Sequence, residues 1–152
     1  MMAAAPGQAP QADAPDSGVV VTSGPEISAQ DADTQGLQIA RSLSTDSGPT
    51  SREIVKSSRR NAIPLLGAVR VPTSGLSAGQ EAWYAADVYL EVFTGAFRDS
   101  GAPVPPGATA PEGRYLILVT DAHLGRVTSL ATGPDRPSEQ QLQSVGAPQQ
   151  MG

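Results

Sequence analysis

The sequence predicts an α+β fold: one N-terminal amphipathic helix packed on an antiparallel meander of four to five strands, with disordered tails. Three observations carry that prediction. Residues 25–44 show the apolar periodicity of a helix. Residues 113–133, GRYLILVTDAHLGRVTSLATG, read as strand, turn and strand. No crossover helix is visible between the later strands, and strands joined without crossovers pair antiparallel.

Residues 1–25 are rich in Ala, Pro, Gly and Gln. Such a composition buries too little apolar surface to offset its ordering entropy, so the segment reads as a disordered leader. Val19–Val21 is its one candidate for a short edge strand. The domain is expected over 26–133, and the polar, Gln-rich 134–152 reads as a disordered tail.

Within the domain, Ser28 is the expected N-cap of the helix, with Asp31 in the third helical position and Ile27 and Ala32 placed for a hydrophobic staple. Ala32, Gly36, Ile39, Ala40 and Leu43 form its apolar stripe. Gly36 costs about 1 kcal/mol in mid-helix relative to Ala, which suggests close packing on a sheet. Residues 52–58 read as an edge strand, 59–64 are ambiguous, and 65–71 read as the next strand, stopped by Pro72. Residues 73–79 read as loop and 82–94 as a strong strand. In that strand Val88, Leu90 and Val92 share one face, and Tyr89, Glu91 and Phe93 share the other. The Pro-rich 95–113 is expected to be a long stiff loop. In the last hairpin Tyr115, Ile117 and Val119 are expected to face the helix stripe, with Leu116 and Leu118 opposite. A strand apolar on both faces belongs inside a sheet, and Gly125 suits a left-handed turn position.

Composition narrows function. The formal charge of −5 over 152 residues divides unevenly: −3 in residues 1–26, −1 in 27–133 and −1 in 134–152. A nearly neutral domain does not suit bulk nucleic-acid binding, which wants a basic excess. Without Cys there are no disulfides or thiolate sites. Aromatic residues make up only 4%, so the core rests on aliphatic side chains. Nine Arg against one Lys, with abundant Ala, Gly and Pro, suggest a GC-rich bacterial genome. No segment reaches the roughly 20 apolar residues of a membrane span. The compartment is extracytoplasmic if a signal or anchor has been trimmed, and cytoplasmic otherwise.

Catalytic chemistry finds little to stand on. The single histidine, His123, lies beside Asp121, and Thr120 or Ser129 would have to serve as nucleophile without an oxyanion-hole motif. The simpler reading is that Asp121 caps the turn and His123 is exposed at its tip. With one His and no Cys, no metal set assembles, and no phosphate-binding Gly-rich loop is present. No catalytic residue, metal or cofactor is therefore expected. Arg52, Lys56, Arg59 and Arg60 form the one basic cluster, a candidate patch for an anion or partner whose alternative is a solvated strand edge. Trp83, Tyr84 and Phe97 are the candidate partner-contact aromatics, with core anchoring as their alternative.

Two stretches carry a family resemblance. ISAQDADTQGLQIARS resembles the helix start of PepSY-like domains, and RYLILVTDAHLGRVTSL is similar to their final hairpin. There the turn runs D-A-x-T-G, and Leu124 stands where that pattern has Thr. The resemblance places the helix and following strand in 27–58 and the later strands in 87–131; the Pro-rich loop and residues 65–82 depart from it. It implies a small secreted or membrane-associated bacterial α+β domain, inhibitory or regulatory, with no catalytic residues. The expected function is thus a non-catalytic binding or regulatory module, with a protein partner, self-association or a peripheral envelope contact. The alternative is an assembly subunit whose apolar hairpin is completed by a second copy or another protein.

Overall fold

The computed structural model describes residues 25–67, 70–99 and 104–151. The expectations for the leader and for Val19–Val21 lie outside the described residues.

Helix α1 (Ala29–Leu43) is capped by Ser28, whose hydroxyl accepts from the Asp31 N–H at 3.1 Å. Strand β1 (Ser51–Ser58) leads directly into the short helix α2 (Arg59–Ala62) and a 3-10 turn (Ile63–Leu66). Helix α3 (Ala78–Ala85) precedes β2 (Asp87–Arg98), β3 (Glu112–Asp121) and β4 (Arg126–Gly133), and α4 (Glu139–Val145) and β5 (Gln149–Gln150) end the chain. The five strands form one antiparallel sheet in the order β4-β3-β2-β1-β5. The predicted α+β class and meander are therefore present.

Several element expectations need correction. Residues 63–66 are helical, so no strand runs over 65–71; Pro64 fits the first positions of a helical turn. Residues 82–85 belong to α3, because Ser77 and Gln80 form a reciprocal capping box that starts a helix there. Strand β2 begins only at Asp87 and continues to Arg98, so the loop after it is shorter than 95–113. The C-terminal stretch is no simple tail. Ser138 and Gln141 form a second capping box at the start of α4, Leu142 is fully buried, and Arg136 bonds the buried Glu53 at 2.8 Å.

The sheet is covered on both faces, with the parity opposite to expectation. Phe93, Phe97, Leu116 and Leu118 pack with Ala40, Leu37 and Leu43 of α1. On the other face Val88, Leu90, Val92, Tyr115, Ile117 and Val119 pack with Val55, Ala62 and Leu142. Both faces of β3 are apolar, so hydrophobicity alone does not decide which one receives α1. Polar partners decide it: Glu91 lies on the Phe93 face, and α1 brings Asp33 to it. Of the predicted interior hairpin, β3 is interior, whereas β4 is an edge strand of the sheet; Gly125 closes the turn between them at φ +70°.

Two outcomes follow from this packing. Ile117, with 0% exposure, should cost about 2–5 kcal/mol when cut to Ala, as read from denaturant melts. Truncation after Gly133, harmless if 26–133 were complete, should abolish cooperative unfolding, since it uncovers the Leu142 face and strips Glu53 of Arg136.

Candidate functional site

The four cations of the predicted basic cluster each face a carboxylate. Arg52 holds Asp33 with two hydrogen bonds, at 2.7 and 3.2 Å. Lys56 donates to Glu26. Arg60 donates to the Pro72 carbonyl at 3.0 Å, approaches Glu81 at 3.7 Å and lies over the Tyr84 ring. Arg59 is 1% exposed. Its Nη2 donates to Asp121 Oδ2 at 2.6 Å, its Nη1 to the Trp83 carbonyl at 2.7 Å, and its guanidinium stacks 4.2 Å from the Trp83 ring centre. Burial pulls the Arg59 pKa down while Asp121 opposes that pull.

Of the three aromatics, Tyr84 and Phe97 are core side chains, each 1% exposed. Trp83 is half-buried on α3, edge-on to Tyr84 at 5.2 Å. It therefore sits on a helix between Arg59 and Tyr84, not at the start of a strand.

Asp121 does cap its turn: Oδ1 accepts from the His123 and Leu124 N–H groups at 2.9 and 2.8 Å. With Oδ2 bound to Arg59, both oxygens serve the fold. His123 is not at an exposed tip; its side chain is 8% exposed, with Nε2 3.5 Å from Glu26. Leu124 takes the exposed place. Glu26 links this end of the sheet together, because Lys56 holds its carboxyl below the ordinary range, and a hydrogen bond with Glu26 holds Asp87 above it.

The group that sequence reasoning missed lies under α1. Glu91, in the middle of β2, is 2% exposed. Burial first, then a hydrogen bond with Asp33, pushes its pKa up to about 10. Oε2 finds no donor, which fits a neutral carboxyl that is itself the donor to Asp33. Burial would raise Asp33 as well, but hydrogen bonds from Glu91 and Arg52 outweigh it and hold Asp33 below the usual range. Gly36 makes room: a Cβ there would lie 2.6 Å from Glu91 Oε1 and 3.2 Å from the Phe93 ring. A glutamate in an apolar strand, opposite a mid-helix glycine in an apolar stripe, was the available signal.

Chemically, the Glu91–Asp33–Arg52 chain holds one proton between two carboxyls and fixes the helix to β2 and β1. Among the described residues, no group of three His, Asp or Glu side chains could hold a metal ion, and no helix is long and apolar enough to cross a membrane. Compared with protein-family models, curated proteins and solved structures, the chain gives no match.

Two measurements check this geometry. Gly36→Ala would gain about 1 kcal/mol of helix propensity in an open helix; here it should destabilise, because the added Cβ meets Glu91. The pH dependence has a defined sign. Glu91 ionises near 4.5 when unconstrained and near 10 when folded, so the folded chain holds the extra proton between these values. Its contribution is full below the lower value and falls as the pH rises towards the upper one. Asp33 acts in reverse, its contribution being lost as pH falls through its lowered pKa. Glu91→Gln keeps the donor and removes the titration, so it should flatten the loss of stability between about pH 5 and 10. An unchanged slope in melts across that range would contradict the assignment.

Proposed function

We propose that the chain is a non-catalytic binding or regulatory module of a bacterial envelope. The observation that carries this reading is the closure of the apolar hairpin within one chain: Leu116 and Leu118 are each 0% exposed beneath α1. A subunit whose hairpin faces were completed by a partner would leave one of those faces open. The ionisable groups support the same reading, since Asp121 is occupied by Arg59 and the turn, and Asp33 by Arg52 and Glu91. The PepSY-like likeness is part of the proposal. It is supported by a helix start at Ser28 and Ala29 and by a D-A-x-x-G hairpin turn whose glycine is left-handed.

The test is complementation. A strain lacking the gene should be restored as fully by the His123→Ala chain as by the wild type, with the variant's cooperative melt showing that it folds. Loss of function in a folded His123→Ala protein would overturn the non-catalytic reading.

A further inference from the structure

The two edges of the sheet are treated differently. At one, β5 pairs with β1 through Glu53–Gln150 and Ile54–Gln149. At the other, β4 has a neighbour on one side only, β3, among the described residues. Exposed edges are ordinarily blunted by lysine, proline, inward charge or a strong bulge, because unpaired N–H and C=O groups template another strand. From Val127 to Gly133 the sequence VTSLATG has no charged residue and no proline. Its one irregularity is the register shift opposite Val119 and Thr120, near the start of the strand. There Gln35 reaches over from α1, accepting from the Val127 N–H at 3.1 Å and donating to the Gly125 carbonyl at 2.7 Å. Beyond that first position no other strand pairs with β4 among the described residues, although its residues 127–132 are half-buried and Gly133 is buried.

The charges beside this uncharged run have opposite sign. Arg126 precedes it and Asp135 follows it; both are exposed, and neither has an ion-pair partner among the described residues. Reversed on itself, such a strand is self-complementary.

We propose that β4 is a dimerisation edge and that its occupant is β4 of a second copy, added antiparallel about a two-fold axis through Leu130. A two-fold relating antiparallel neighbours stands perpendicular to the sheet, so the residue on the axis pairs with itself. Leu130 then meets Leu130 of the second copy, and Thr128 meets its Thr132. Gly133 of the second copy, without a side chain, comes opposite Val127, where Gln35 lies over the edge. Arg126 faces Pro134 of the second copy, one residue from its Asp135, at both ends of the contact. The interface is isologous and closes after two copies, which joins the two sheets without leaving either β4 edge open. This goes beyond the module reading and stands independently of it. A monomer would leave that reading intact, and failed complementation by His123→Ala would leave the dimer intact.

The test uses the full chain, with mass measured by light scattering or sedimentation over a concentration series. The wild type should pass from one chain to two. Ser129→Lys places a lysine on the edge and should weaken the dimer by about tenfold or more, the equivalent of 1.4 kcal/mol. Arg126→Asp should weaken it also, and Arg126→Asp combined with Asp135→Arg should restore it. The two charge variants change exposed side chains, so they decide the outcome even if Ser129→Lys fails to fold. A wild type that stays monomeric throughout overturns the proposal. So does a dimer whose affinity is unmoved by the charge reversals, or one that also takes up copies beyond two.

Discussion

Burying a carboxyl group beneath a helix is costly unless the group is neutral and hydrogen-bonded. Glu91 meets both conditions, and much of the architecture follows from them. Neutrality comes from burial and from Asp33, which is itself kept ionised by the paired hydrogen bonds of Arg52. Space comes from Gly36, where a Cβ would lie 2.6 Å from Glu91 Oε1. Three elements are thereby fixed in relation to one another: α1 through Asp33, β1 through Arg52 and β2 through Glu91. An apolar stripe can slide along an apolar sheet with little penalty, whereas a proton shared between two buried carboxyls admits one register. Polar groups held this way serve specificity more readily than net stability.

The opposite side of the molecule repeats the device with a cation. Arg59 sits where β1 turns into α2, and a buried guanidinium must satisfy its donors or be expelled. Nη2 and Nη1 do so against the Asp121 carboxylate and the Trp83 carbonyl, and the Trp83 ring lies over the guanidinium, while Nε is buried without a partner. This ties the end of β3 to the segment between β1 and β2. Asp121 also accepts from two backbone N–H groups of the β3–β4 turn, so one carboxylate sets both the turn and the ion pair. The basic cluster seen in the sequence is thus dispersed, each of its members answering a different acid. Solvent-facing cations in a row and fold-holding cations in a row look alike along the chain.

Legibility in the sequence followed the length of each signal. Helix α1, with its cap and stripe, and the β3–β4 hairpin, with Gly125 in its turn, were readable because each is long and periodic. Helices α3 and α4 were not. Both begin with Ser-x-x-Gln, at Ser77 and Ser138, and both use that pattern as a full capping box. In α3 the apolar AWYAADVYLEVF run blends a helix end into a strand, and the break at Ala86 leaves no Gly or Pro to mark it. In α4 a single leucine, Leu142, carries the burial, too little to show as periodicity. The choice of sheet face was equally hidden, because β3 is apolar on both sides. Only the lone glutamate of β2 and the glycine opposite it distinguish them, and a glycine reports close approach without saying what approaches.

The last eighteen or so residues explain why a chain so poor in aromatic side chains holds two covered faces. A small sheet covered on one side by one helix buries limited apolar area, and stability scales with that area. Here α4 supplies the second cover with Leu142, while Arg136 neutralises Glu53, which would otherwise be a buried unpaired acid on that face. The same arm brings β5 against β1 and so closes that edge. Face and edge are therefore completed together, from the end of the chain, on the β1 side. Among the described residues no further strand pairs with β4, where Gln35 accepts from the Val127 N–H. The two edges are therefore asymmetric: β1 is paired with β5, whereas β4 is paired with β3 alone among the described residues.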